Sequence, residues 1–231
     1  MRDNKSLRYK IAVFDMDGTL TQHVSSWQLI HEKLGLWDKD ACRYQEQFLK
    51  GRISYRRFCE LDARCWKNMP VADITSHLHA IPYNRNVKTT LRRLKKMGLK
   101  LAIISTGLDL LALKVKKDLQ IDYCVCNKLY VRKGRLTGRV KIDVAHGEKG
   151  YIFRKLLKKA RFRPDQAIFI GDSATDLPAA KIAGLAIAFN ASHDGLAEAA
   201  DYNCRSKDFR EVFAVIKKAN TQYNSGLPAL F

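Results

Sequence analysis

Four stretches of this chain combine residue types that do chemistry. Asp15-Met16-Asp17-Gly18-Thr19 follows the apolar run Tyr9–Phe14, and Ser105-Thr106-Gly107 follows Leu99–Ile104. Lys149 opens a helical pattern after His146-Gly147-Glu148, and Gly171-Asp172-Ser173-Ala174-Thr175-Asp176 follows Ala167–Ile170. In an extended segment residues i and i+2 point the same way, so Asp15 and Asp17 converge on one point beyond a strand end. Two carboxylates at one point suit a division of labour, one as nucleophile and the other as proton donor and acceptor. Asp176 lies four residues beyond Asp172 on an opening helical turn, where it faces the same side and can hold Lys149 or a metal-bound water. Lys149 is a fixed cation and Ser105 a hydroxyl donor, and such preorganised groups supply ~3–4 kcal/mol each at a transition state. Backbone N–H groups near Met16, Thr106 and Gly107 add an anion cradle, with Gly107 permitting close approach. An EF-hand is excluded, because the sixth and twelfth positions counted from Asp15 are Leu20 and Ser26 instead of Gly and Glu.

The elements that position these residues follow from hydrophobic periodicity. Tyr9–Phe14 reads as a buried strand. Residues 24–79 read as helical, with Trp27, Ile30, Leu34, Phe48, Leu49, Tyr55, Phe58, Leu61 and Cys65 recurring at short helical intervals and Ser54 as an N-cap. From Ile81 onward helices alternate with strands: a basic helix Asn86–Met97 ended by Gly98, strand Leu99–Ile104, helix Leu108–Leu119 and strand Tyr123–Asn127. A hairpin around Lys133-Gly134-Arg135 projects from the sheet. Helix Gly147–Ala160, strand Ala167–Ile170, helix Ala174–Ala183 and strand Leu185–Phe189 follow, and the tail from Asn220, with Gly226 and Pro228, reads as irregular. The expected fold class is α/β: a doubly wound, mainly parallel sheet formed by residues 1–20 plus 81–231, with an all-helical insertion at 21–80. Ligands of such sheets bind beyond the carboxyl ends of the strands, where all four stretches fall.

Four motifs in this order and context resemble those of the haloacid dehalogenase-like hydrolase superfamily, and within it the phosphoserine-phosphatase-like branch. The resemblance spans essentially the whole chain, including the insertion in the position of a cap and Leu136-Thr137-Gly138 before the lysine. It implies a phosphomonoester hydrolase with Asp15 as the nucleophile that becomes an aspartyl-phosphate and Asp17 as general acid/base. Ser105, Thr106, Gly107 and Lys149 would bind the phosphoryl group. Carboxylates repel a phosphate dianion, so Mg²⁺ is the expected cofactor, held by Asp15, Asp172, the backbone carbonyl of Asp17 and, directly or through water, Asp176. In the phosphoserine phosphatases that the chain resembles, an acidic residue shortly after the first motif reads the substrate ammonium and a cap arginine reads its carboxylate. Nine positions beyond Asp15 stands Val24, so a leaving group other than serine is expected. Trp27 and His23 are candidate lining residues at the entrance, and Arg56, Arg57 and Arg64 candidate clamps.

Composition sets the context. The chain has 231 residues with 42 Lys+Arg against 23 Asp+Glu, a formal charge of +19. Residues 21–80 hold nine Lys/Arg against seven Asp/Glu, so nearly all of the excess belongs to the body, where it can concentrate phosphorylated anions. The expected substrate is a small phosphorylated metabolite. Two alternatives remain, a phosphotransferase using the same intermediate and a basic nucleic-acid-associated protein. No helix-turn-helix or zinc-finger pattern is present, so nucleic acid is not the expected partner. Apolar runs are far shorter than the ~20 residues of a membrane span, and the chain start has no apolar signal region. Six cysteines without a CxxC pair suit a reducing compartment, so the protein is expected to be cytoplasmic, as a monomer or homodimer.

Overall fold

The structure, a computed structural model, describes residues 7–23 and 25–225, without the side chains of Lys39 and of residues 222–225. Its frame is one seven-stranded sheet: β1 (Ile11–Phe14), β2 (Lys100–Leu108), β3 (Tyr123–Arg132), β4 (Arg135–Lys141), β5 (Ala167–Gly171), β6 (Leu185–Phe189) and β7 (Tyr202–Cys204), in the order β4-β3-β2-β1-β5-β6-β7. Neighbours are parallel except for the antiparallel β3–β4 pair. All four residues of β1 are fully buried. This central strand has helices on both sides, so it reads as a continuous apolar run without alternation.

The two faces of the sheet carry separate cores. Ala12 and Phe14 pack with α5 (Val87–Lys96), α6 (Asp109–Asp118) and α10 (Phe209–Ser225) through Leu91, Leu94, Leu111 and Ile216. Ile11 and Val13 pack with α7 (Lys149–Ala160), α8 (Leu177–Ala180) and α9 (Asp194–Ala199) through Phe153, Leu157, Ala179 and Leu196. The expected α/β doubly wound architecture is therefore present. Register places the chemistry: Phe14 is level with Ile103 of β2 and Ile170 of β5. Strands β1 and β5 so end side by side, with β2 running on beside them to Leu108, at the point where the chain winds off in both directions.

Between β1 and Ile81 the described elements are helical: α1 (Ser26–Lys33), a five-residue π-turn at Trp37–Ala41, α2 (Cys42–Leu49), α3 (Tyr55–Cys65) and α4 (Val71–His79). Ser25 caps α1 by accepting the Gln28 N–H, and Ser54 caps α3 by accepting that of Arg57. The β3–β4 hairpin turns on Lys133 and Gly134, both at positive φ (49° and 73°), which suits a two-residue turn between right-twisted strands. It does not project freely. The N–H groups of Asn68 and Val71 donate to the carbonyls of Leu136 and Gly134, and that of Leu136 donates to Met69, stitching the hairpin to the end of α3.

Several boundaries differ from the sequence expectations. Strand β2 continues through Ser105-Thr106-Gly107 to Leu108, with a shift in its register against β3 between Ile104 and Leu108; these three residues occupy an irregular strand end, not a loop beyond it. The helix expected over Ala174–Ala183 is a 3₁₀ turn at Ala174–Asp176 followed by the single turn of α8, with Pro178 inside its start. The tail is helical through Ser225, because Asn220 is buried and its side chain accepts the Tyr9 N–H at 2.9 Å. Gly226 and Pro228 lie outside the described residues. The elements α9, β7 and the first part of α10 had no expectation.

Candidate active site

Asp15 leaves β1 with its N–H donating to the Ile170 carbonyl of β5 at 2.9 Å, which fixes its backbone between the two neighbouring strand ends. The Lys149 side chain, fully buried at the first position of α7, reaches Asp15 Oδ1 at 2.7 Å and Asp176 Oδ1 at 2.6 Å. Burial alone would push this lysine down. The two carboxylates more than reverse that, and the ammonium is held above its ordinary range. Asp176 is in turn saturated: its Oδ2 accepts the N–H groups of Asp172 and Ser173 and the Ser173 hydroxyl. A Cβ on Gly171 would overlap this carboxylate, so glycine is what lets it approach the strand end.

Asp172 accepts the Thr19 hydroxyl on Oδ1 at 2.6 Å. Its other face lies against Gly18, at φ +84°, where a side chain would collide with the carboxylate. Thus the first and fourth motifs interlock through Thr19 and Gly18. Burial, with Asp176 adding repulsion, pushes Asp172 up to about 7, against the Thr19 hydrogen bond. Asp15 is driven well above the usual carboxylate range by burial, with Lys149 opposing.

Asp17 is held differently. Its Oδ2 accepts both the N–H of Ser26, at 2.8 Å, and the Ser26 hydroxyl, at 2.7 Å, while its Oδ1 is buried without a hydrogen-bond partner. Burial raises this carboxyl, and the Ser26 bonds pull it back. A Cβ on Gly107 would stand 2.7 Å from Asp17 Oδ2, so the second motif leaves room for the acid by omitting a side chain. Ser105 Oγ accepts the Gly107 N–H at 2.9 Å, which leaves its own proton to donate. The Thr106 carbonyl, by contrast, is a junction: it accepts from Asn127 Nδ2 at 2.8 Å and from the Trp27 indole at 3.0 Å.

The expected residues thus separate into two sets. Asp15, Asp17, Ser105, Lys149, Asp172 and Asp176 are all buried and gathered at the ends of β1, β2 and β5. Trp27 joins them through Thr106. His23 instead turns back along the chain, its Nδ1 accepting the Ser25 N–H and its Nε2 3.9 Å from Glu32. Arg56 and Arg64 are exposed on α3, as is Arg57, which lies 3.8 Å from Glu60. Val24 lies outside the described residues. Ser26 was missed, and its signal was present: a Ser-Ser pair opening a helix just after the first motif invites the question of which carboxylate the second serine faces.

A model of the haloacid dehalogenase-like hydrolases matches residues 12–181. The chain belongs to that family. It is 31% identical over 211 residues to a phosphoserine phosphatase of Archaeoglobus fulgidus, covering 90% of this chain and 60% of that relative. A phosphoserine phosphatase of Methanocaldococcus jannaschii is 29% identical over 209 residues, 90% of this chain and 98% of the relative. A solved structure described as a phospho-aspartyl intermediate analogue of phosphoserine phosphatase superposes with a TM-score of 0.77 at 27% identity, covering 90% of this chain and 99% of that one. Within the haloacid dehalogenase-like hydrolases, the chain therefore sits in the phosphoserine-phosphatase-like branch.

Family members of this kind imply a divalent cation, and the residues fit one. Carboxylate oxygens of Asp15, Asp172 and Asp176 lie within 4.8 Å of one another, all buried, with Lys149 as the one cation bonded to them among the described residues. The donor set is oxygen alone, as Mg²⁺ prefers. Because both Asp176 oxygens are engaged, Asp15 and Asp172 are the carboxylates with capacity to spare, and Asp176 serves as the anchor of Lys149.

Proposed function

We propose that this protein is a Mg²⁺-dependent phosphatase that hydrolyses a small phosphorylated metabolite through an aspartyl-phosphate on Asp15. The observation that carries this reading is the contrast between the two carboxylates of the first motif. Asp15 lies 2.7 Å from the buried ammonium of Lys149, as a nucleophile that must stay ionised requires, whereas Asp17 is held through Oδ2 by Ser26 and keeps Oδ1 clear of any hydrogen bond, as a proton donor requires.

In the first half-reaction a carboxylate oxygen of Asp15 attacks phosphorus and the bond to the leaving alcohol breaks, while Asp17 gives its proton to the departing oxygen. In the second, Asp17 takes a proton from the water that attacks phosphorus, the acyl phosphate bond breaks, and Asp15 and inorganic phosphate are released. Lys149 and the Ser105 hydroxyl hold the phosphoryl oxygens through both steps. Mg²⁺, held by Asp15, Asp172 and the Asp17 carbonyl, would neutralise phosphoryl charge. The insertion, residues 21–80, acts as a cap over the body, residues 1–20 and 81–231, and keeps bulk water from the intermediate. Supporting this, Asp15 and Ser105 are 4% and 1% exposed. Ser26 ties the first cap helix to Asp17, so closure and placement of the acid are coupled.

The enzyme acts in the cytoplasm as a monomer or homodimer. Its six unpaired cysteines support a reducing compartment, and among the described residues no helix is long and apolar enough to cross a membrane. The test is phosphate release from a panel of phosphomonoesters with and without Mg²⁺. Release that needs the metal and vanishes in Asp15→Asn is expected; turnover retained by that variant would overturn the assignment.

A further inference from the structure

Among the described residues, six buried side-chain polar atoms make no hydrogen bond, and they form two groups. Two are Oδ1 of Asp15, which the Lys149 ammonium approaches to 2.7 Å, and Oδ1 of Asp17, both in the reacting centre. The other four are both ring nitrogens of His31, Oδ1 of Asp62 and Nε1 of Trp66. His31 and Asp62 are nearly inaccessible and approach to 3.3 Å, close enough to attract but not aligned as a hydrogen bond. Buried polar groups are nearly always satisfied, so a cluster of unfilled donors and acceptors calls for a ligand group that fills them.

Position ties this cluster to the reacting centre. His31 lies one turn beyond Trp27 on α1, and Asp62 and Trp66 lie along one side of α3 and its end. The Trp66 ring is 4.8 Å from His31 and 5.5 Å from Trp27. The Trp27 indole and, more weakly at 3.5 Å, the Tyr55 hydroxyl both reach the Thr106 carbonyl, next in sequence to Ser105. Trp27 and Tyr55 therefore join the strand end that carries Ser105 to the two helices that carry His31 and Asp62.

The chemistry of the cluster selects its occupant. Asp62 offers a buried anionic acceptor that burial disfavours and His31 only partly supports, so a cation bearing N–H donors gains most from it. The neighbouring tryptophans add aromatic faces that attract a cation, and the Trp66 N–H can donate to an alcohol oxygen. A carboxylate would meet Asp62 as like charge.

We infer that His31, Asp62 and Trp66 form the leaving-group subsite, and that the leaving alcohol carries an ammonium group and no carboxylate. This rests on the phosphatase reading above and names its substrate class. The test compares kcat/KM at saturating Mg²⁺ for O-phosphoethanolamine, ethyl phosphate and O-phosphoserine, with p-nitrophenyl phosphate reporting turnover that needs no subsite. O-phosphoethanolamine should exceed both of the other two alkyl esters by about tenfold or more, the scale of a hydrogen bond to a charged group. In Asp62→Asn the ratio of O-phosphoethanolamine to ethyl phosphate should shrink by a similar factor, through KM for the ammonium ester. Equal wild-type values for these two esters, or a preference for O-phosphoserine, would overturn the subsite even if the variant fails to fold. So would a loss in Asp62→Asn that is the same for every substrate, since a purely structural role predicts that. Turnover of none of the four compounds would instead overturn the phosphatase reading.

Discussion

The strand ends of the body and the helical insertion bury their polar groups in opposite ways. At the strand ends the groups brace one another: Lys149 spans Asp15 and Asp176, Asp176 accepts two backbone N–H groups, and Thr19 holds Asp172. In the insertion, His31, Asp62 and Trp66 are as deeply buried yet leave four polar atoms unfilled. The difference separates two jobs. Chemistry common to every substrate is built in advance from parts that hold each other, while recognition of one leaving group is left for that group to complete.

The comparison breaks most visibly at Asp17, whose Oδ1 is buried without a hydrogen-bond partner. Asp17→Asn should lower kcat for alkyl phosphates by about 10²–10⁴-fold, the usual worth of positioned acid–base catalysis. The loss should be smaller for p-nitrophenyl phosphate, whose leaving group needs no proton, and stopped-flow assays of both esters check this. A smaller effect is expected at Ser26, a positioning residue that joins the two regions. Ser26→Ala should lower kcat by about tenfold, within the range for losing a hydrogen bond to a charged group. It should also move the alkaline limb of the kcat profile to higher pH, because the hydroxyl bond it removes favours the ionised Asp17, while the backbone N–H bond stays.

Crowded acids make the body's site a destabilising element without metal. Asp172 has a folded value raised to about 7, against about 3.9 for an unperturbed aspartate. It holds its proton more tightly folded than unfolded, so its contribution is fully favourable at low pH and is lost as pH rises through about 7. Melting temperature measured with chelator should therefore fall across that window. Asp172→Asn should flatten the fall, and Mg²⁺ should do the same for the wild type. The smallest effect belongs to the exposed side of the insertion: Arg56→Ala and Arg64→Ala should change stability by no more than about 0.5 kcal/mol in denaturant melts. Their kcat/KM should stay within about twofold, against a clamp role.

What could be read from the sequence follows the same division. Asp15, Asp17, Ser105, Asp172 and Asp176 were legible because each is fixed by a local pattern, an apolar strand followed by short polar residues, and Lys149 because it opens a helical pattern after His146-Gly147-Glu148. Their convergence needs only parallel strands ending together. Arg56 and Arg64 were drawn in by their charge, but helical phase puts them on the solvent face, while Asp62 on the same helix turns inward. Ser26 and His31 escaped notice because their partners, Asp17 and Asp62, are set by packing between distant segments. The register irregularity in β2 and the helical tail depend likewise on tertiary contacts, such as Asn220 with Tyr9, that no local pattern announces.

Acid quench of the enzyme during turnover, followed by mass analysis of its peptides, tests the central claim most directly. The wild type should carry one phosphoryl group, on the peptide containing Asp15, and the Asp15→Asn variant should carry none and show no turnover. A phosphoryl group on any other residue, or turnover without a covalent phosphoenzyme, would contradict the account.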